Sequence, residues 1–250
     1  MERCDVTPAS LAVFASGSGT NLQAVLDKFG ADGRPDSSAR VALVVSDRAE
    51  ARALERAQAA GVPTRTLAPK EFGDCDAWTE ALLSLLRGHD IDLIALAGYL
   101  KLVPDAVVQE YRGRIVNIHP APLPTFGGPA MYGQRVHEAV LASGVRVSGP
   151  TIHFVDERYD TGPIIAQWPV PVRADDTAEA LAARVLRFEH KLYPAVIRAL
   201  ARGQIELQED GRVRTTLNAG DDDVGFELTD VDTSLASLGR MWGGPETERH

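Results

Sequence analysis

Apolar residues dominate short stretches along the first half of the chain, at residues 11–14, 41–45, 92–97 and 115–117, and the mixed stretch Val62-Pro63-Thr64-Arg65-Thr66-Leu67 reads as a further short strand. Each run has the length of one strand crossing a sheet. The segments between them read as helices: 21–28, with Thr20 or Asn21 placed to cap it; the alanine-rich 49–60, closed by Gly61; and 77–87. Pro104 stands where proline opens a further helix. Strands without polar alternation are buried on both faces, and their alternation with helices implies a parallel sheet. The expected fold is α/β, a Rossmann-like and mostly parallel sheet with helices on both faces.

After residue 120 the pattern changes. Proline and glycine interrupt the segment 120–129, and loops of that length inside a domain often carry function. A helix is expected at 135–142, and strands at 148–155 and 164–172 flank a loop holding Asp160. These strands should make the C-terminal part of the sheet mixed. A long helix follows at 177–200. From Ile205 onward, with Asp221-Asp222-Asp223, periodic signals are weak, and a short strand or two before a partly mobile tail is expected. That divides the chain into a main domain at 11–203 and an extension at 204–250.

Composition narrows the function. With 44% hydrophobic residues in 250, the chain can bury one sizeable core. A net charge of −9 argues against general nucleic-acid binding. No apolar run reaches membrane-spanning length, so no membrane partner is expected. The N-terminus lacks a secretory leader, which makes a cytoplasmic protein the expectation. Cys4 and Cys75 are too few for a disulfide or metal framework.

The chemistry-bearing residues lie near the ends of the expected strands. Asn117 and His119 are two apart and should project from one face of a strand, an amide donor beside an imidazole. Asp160 is a carboxylate within reach of holding the histidine, which gives a proton-shuttle arrangement. Singly, Asn-x-His and Asp-Thr-Gly read as turn residues more often than as catalysts. Ser16-Gly17-Ser18-Gly19-Thr20-Asn21 joins the first strand to the first helix. Glycines there let backbone approach a ligand, and the helix N-terminus offers N–H groups to phosphate. Leu22 replaces the third glycine of a dinucleotide fingerprint, and the loop lacks the lysine of a Walker A motif.

The chain resembles the folate-dependent phosphoribosylglycinamide formyltransferases. The resemblance rests on Gly17-Ser18-Gly19-Thr20-Asn21-Leu22-Gln23, Leu96-Ala97-Gly98-Tyr99-Leu100-Lys101-Leu102 and Ile115-Val116-Asn117-Ile118-His119-Pro120. Ser148-Gly149-Pro150-Thr151-Ile152-His153-Phe154-Val155, Asp160-Thr161-Gly162 and Phe188-Glu189-His190 complete it, over about residues 11–203. The resemblance implies a formyltransferase fold and formyl transfer from 10-formyltetrahydrofolate to phosphoribosylglycinamide, without a metal. It implies that Gly17, Gly19, Thr20 and Asn21 hold the phosphate and that Glu189 meets the glycinamide end. Leu100, Lys101, Leu102, Val103, Asn117 and Asp156 would contact the folate. Asn117 would stabilise the developing oxyanion, His119 would act as general acid and base, and Asp160 would raise the histidine pKa. Either a monomer or a homodimer fits.

Three rivals share parts of this pattern. Methionyl-tRNA formyltransferase carries a large RNA-binding domain, for which the acidic remainder after Gly203 is too short. A deformylase of the same folate usually has a regulatory domain before the first strand. A non-catalytic phosphate-binding module would keep the glycine loop but has no need of Asn117, His119 and Asp160 together.

Overall fold

A computed structural model describes residues 7–216. Cys4, Asp221-Asp222-Asp223 and the expected mobile tail lie outside the described residues. The parallel part of the sheet is built from β1 (Ala9–Phe14), β2 (Ala39–Ser46), β3 (Thr64–Thr66), β4 (Leu93–Leu96) and β5 (Ile115–His119). Two later strands, β7 (Thr151–Phe154) and β8 (Ile164–Gln167), join it antiparallel, giving the order β3-β2-β1-β4-β5-β7-β8. The fold is α/β with a mostly parallel sheet, mixed at its C-terminal strands, as the pattern of runs implied.

Period-two alternation sorts the core into two layers. Leu11 and Val13 face α1 (Thr20–Phe29), α2 (Arg52–Ala59) and α6 (Ala178–Ala201). Ala12 and Phe14 face α3 (Cys75–Gly88) and α4 (Asp105–Glu110). Apolar residues on both faces of one short strand are what a buried parallel strand requires. A third, smaller cluster joins Val136 and Val140 of α5 (Gln134–Ser143) to Leu181 and Val185 of α6.

Three sequence expectations are corrected. The strand expected at 148–155 is interrupted: β6 (Val147–Ser148) and β7 are separated by Gly149-Pro150. Likewise β8 and β9 (Val170–Pro171) are separated by Trp168-Pro169, and β6 pairs with β9 in a small sheet of its own. Proline has no N–H for a ladder, so each expected strand breaks beside one. Neither Thr20 nor Asn21 caps α1; the cap position is Gly19, in the left-handed conformation at φ 71°. Past Gly203, β10 (Ile205–Leu207) pairs with β11 (Val213–Thr215), and Ile205 is buried in the main core.

β1 is the turning point of the topology, with β2 on one side and β4 on the other. Chains leave β1 and β4 toward opposite faces, which opens a crevice at their carboxyl ends. The loops after β1, β4 and β5 all end at that edge.

Candidate active site

That edge holds a cavity of about 400 Å³, a size suited to a small-molecule ligand. Gly17, Gly19, Thr20 and Asn21 line one part, Asn117, His119 and Asp160 another, and Glu189 and Leu100 also border it. Residues 43 positions apart thus meet in one space, because β7 folds back antiparallel on β5.

β5 delivers Asn117 and His119 to the same face, as the two-residue spacing predicts. His119 is almost fully buried. Its Nε2 donates to the Phe126 carbonyl at 2.8 Å, because a carbonyl only accepts. Its Nδ1 lies 3.6 Å from Asp160 Oδ2, too far for a full hydrogen bond but close enough for strong charge coupling. Asp160 Oδ2 also accepts from Gly128 N–H at 2.9 Å. The segment Phe126-Gly127-Gly128 therefore grips both the histidine and the carboxylate. Gly127 is required there: a Cβ would lie 2.5 Å from Leu123 Cδ2 and 2.9 Å from Asp160 Cβ.

Burial sets the net direction of the His119 pKa shift, although Asp160 raises the value as expected. Burial lowers the His119 pKa, and the opposing pull of Asp160 does not overcome it, so the net shift is downward. Asp160 raises the value locally, but desolvation of the imidazolium wins. For Asp160, burial pushes upward; the neighbouring His153 and His119 rings and the Gly128 N–H together bring it below the usual carboxylate range. Near neutral pH the pair is a neutral imidazole beside a carboxylate. The free lone pair of His119 is then on Nδ1, facing Asp160.

Two histidines escaped the sequence reading. His153 on β7 stands opposite Asn117 in register. Its Nδ1 donates to its neighbour's carbonyl, Phe154 O, at 2.7 Å, leaving Nε2 to accept from Asn117 Nδ2 at 3.1 Å. Asn117 Nδ2 also reaches Asp160 Oδ1 at 3.4 Å, so both amide hydrogens have acceptors before any substrate binds. His137 on α5 is buried near His119, and burial, with the His119 charge, pushes its pKa down to about 4. It is therefore neutral under working conditions.

Glu189 comes from α6. One turn further on, Tyr193 is fully buried, and its hydroxyl sits between the Leu96 and Val116 carbonyls at 2.8 and 3.1 Å. That anchor fixes α6 over β4 and β5 and sets Glu189 at the cavity wall. Asn21 Nδ2 donates to Glu189 Oε2 at 2.6 Å, so the Asn21 side chain turns to Glu189 and away from the loop's N–H groups. Burial raises the Glu189 pKa, and the Asn21 bond offsets part of the rise. Asn21 Oδ1 is buried with no protein donor. An acceptor short of a donor, beside a buried carboxyl, suits a ligand bearing N–H groups.

The expected folate contacts divide. Leu100 borders the cavity, but its N–H is donated to Ser16 Oγ at 2.9 Å. Lys101 and Leu102 are exposed and do not line it, and Val103 is buried in the layer beneath. Asp156 accepts from Thr161 Oγ1 at 2.8 Å and from Arg158 N–H at 3.1 Å, knotting the turn that carries Asp160. Among the described residues no set of three or more His, Cys, Asp or Glu side chains gathers as metal ligands, and no helix is long and apolar enough to cross a membrane.

The formyl transferase family model matches residues 9–197, which is most of the chain. The chain belongs to the formyl transferase family. This formyl transferase is 43% identical to the phosphoribosylglycinamide formyltransferase of Bacillus subtilis over 189 residues, 76% of this chain and 93% of that protein. The Escherichia coli protein of that name is 35% identical over 80% of this chain and 91% of its own length. Against the chloroplastic protein of Vigna unguiculata identity is 45%, over 80% of this chain and 64% of that one. The crystal structure of glycinamide ribonucleotide transformylase 1 from Symbiobacterium toebii superposes with a TM-score of 0.77 at 41% identity, covering 86% of this chain and 98% of that one.

Proposed function

We propose that this formyl transferase moves the formyl group of 10-formyltetrahydrofolate to the amine of 5′-phosphoribosylglycinamide, a step of purine synthesis in the cytoplasm. The observation that carries the reading is the shared cavity: a glycine loop suited to phosphate and an Asn-His-Asp group open into one space. Gly19 and Thr20 offer N–H groups of the α1 terminus to the phosphate, with Gly17 forming the loop's entry. Asn21 and Glu189 receive the glycinamide end, where the unmet Asn21 Oδ1 needs an N–H donor. The folate enters beside Leu100, with Lys101, Leu102, Val103 and Asp156 shaping the segments around it.

The neutral amine attacks the formyl carbon, and negative charge develops on the formyl oxygen. Asn117 supplies the donor by exchanging its longer bond, the 3.4 Å contact to Asp160, for the oxyanion. The attacking nitrogen must lose a proton and the folate nitrogen must gain one. His119 takes the first at Nδ1, since Nε2 is committed to Phe126. Asp160 stabilises the imidazolium so formed, and the same proton passes to the leaving nitrogen. No step calls on a metal.

The test is to supply purified protein with 10-formyltetrahydrofolate and phosphoribosylglycinamide, and to measure formylated product and released tetrahydrofolate. The expected result is one product per folate consumed. Formate release without the amine would move the protein to the deformylase reading. Transfer only to methionyl-tRNA would identify a different acceptor, and an unconsumed folate would leave a phosphate-binding module.

A further inference from the structure

The glycine loop is seated on α2, a helix that does not line the cavity. Ala53 N–H of its first turn donates to the Gly17 carbonyl at 3.1 Å. Arg56, one turn on, donates from Nε to the Ser18 carbonyl at 2.9 Å and from an η nitrogen to Gln23 Oε1 of α1 at 3.0 Å. The seat is tight: a Cβ on Gly19 would lie 2.8 Å from Ala53 Cα and 3.3 Å from Arg56 Cδ. In a trans peptide the carbonyl of one residue and the N–H of the next point in opposite directions. With the carbonyls of Gly17 and Ser18 both tied to α2, the N–H groups of Ser18 and Gly19 are turned away from it, and both residues line the cavity. Among the described residues no carboxylate lies within ion-pair distance of Arg56, so its charge beneath the loop is not neutralised by a neighbour.

We propose that Arg56 is a positioning residue of the phosphate subsite. It fixes two peptide N–H donors toward the bound phosphate and adds an uncompensated positive charge behind them. This rests on the proposed substrate. Arg56 touches neither reacting atom, so it should govern how the phosphate is held and leave the chemistry at His119 alone. Lysine would keep the charge but not the two-armed bridge between Ser18 and Gln23.

Arg56→Gln and Arg56→Lys are measured with the phosphoribosyl amine and with its dephosphorylated ribosyl analogue. For Arg56→Gln, KM for the phosphorylated substrate is expected to rise about tenfold or more, with kcat and the folate KM within about twofold. The wild-type preference for the phosphorylated substrate should shrink by the same factor, because the analogue has no phosphate to lose. Arg56→Lys should fall between the two. A preference unchanged in both variants, beside an active wild type, overturns the inference, and so does an equal loss on both substrates.

A wild type that transfers no formyl group to this amine defeats the proposed function, and inorganic phosphate then tests Arg56. Phosphate should shift the Ser18 and Gly19 amide resonances saturably in wild type, and about threefold more weakly in Arg56→Lys. Equal affinity in the two proteins, or no shift in wild type, overturns the inference. If Arg56→Gln does not fold, Arg56→Lys carries both comparisons.

Discussion

The glycine loop and the Asn117–His119–Asp160 group stand at the ends of β1 and β5, two strands or roughly 10 Å apart across the sheet edge. They are held by different forces. The loop is held by backbone: two carbonyls tied to α2, and a glycine with no room for a side chain. The Asn117–His119–Asp160 group is held by buried polar side chains, at separations of 3.4 to 3.6 Å and under a backbone clamp from Phe126 and Gly128. The loop's backbone hydrogen bonds have no proton to lose between pH 5 and 9; its link to a titrating group runs through Asn21 to Glu189. The geometry and charge of the Asn117–His119–Asp160 group change together as His119 titrates. Substitutions at the loop should therefore alter binding at all pH values, and substitutions at His119 or Asp160 should alter the pH dependence.

The largest expected effect is at His119. His119→Ala should lower kcat by about 10²–10⁴-fold, the usual cost of losing a general acid–base group. KM for the phosphorylated substrate should stay near wild type, since the loop is untouched. An equal rise in KM would show that the two ends are not separable.

Gly19→Val comes next. The added Cβ runs into Ala53 on the α2 side, and valine resists the left-handed backbone. The loop must move, so KM for the phosphorylated substrate should rise about tenfold, with stability lower by about 1–3 kcal/mol. Saturating substrate should restore a near-normal kcat. A lowered kcat with unchanged KM would place the loop in the chemistry.

The smallest effect is on stability at Glu189. Burial raises its folded pKa above 4.5, so between that value and the raised one the folded state binds the extra proton. Stability is then lost as pH rises through that window. Glu189→Gln cannot ionise and still accepts from Asn21, so its Tm should exceed wild type at pH 7 by roughly 2–4 °C, about 1 kcal/mol. The amine substrate should bind less well. A Tm difference equal at pH 4 and pH 7 would remove the buried ionisation from this account.

Local signals were legible in the sequence. The apolar runs marked the central strands of the parallel sheet because burial on both faces leaves no alternation, whereas the edge strand β3 is polar and only partly buried. The spacing of Asn117 and His119 placed both on one face because strand geometry is local. What stayed hidden was long-range. His153 alternates with Thr151 in Thr-Ile-His-Phe, yet nothing local says that β7 will pair antiparallel with β5 and set His153 opposite Asn117. The net sign of the His119 shift was also out of reach, because it depends on how deeply the 120–133 segment buries the ring. Arg56 looks like any polar helix position until α2 is seen beneath the loop.

The pH dependence of kcat/KM for wild type and Asp160→Asn tests the central claim most directly. Asp160 sits at φ 57°, which asparagine tolerates, so the turn survives while the charge is removed. The Asp160 charge raises the His119 pKa against burial. Without it the imidazolium loses support, and the acid limb of the profile should move to lower pH. The plateau should also fall, on the order of 10²-fold, because the histidine loses its orienting partner. Superimposable profiles with an unchanged plateau would contradict a proton shuttle through His119 and Asp160, and would reduce Asp160 to a turn residue.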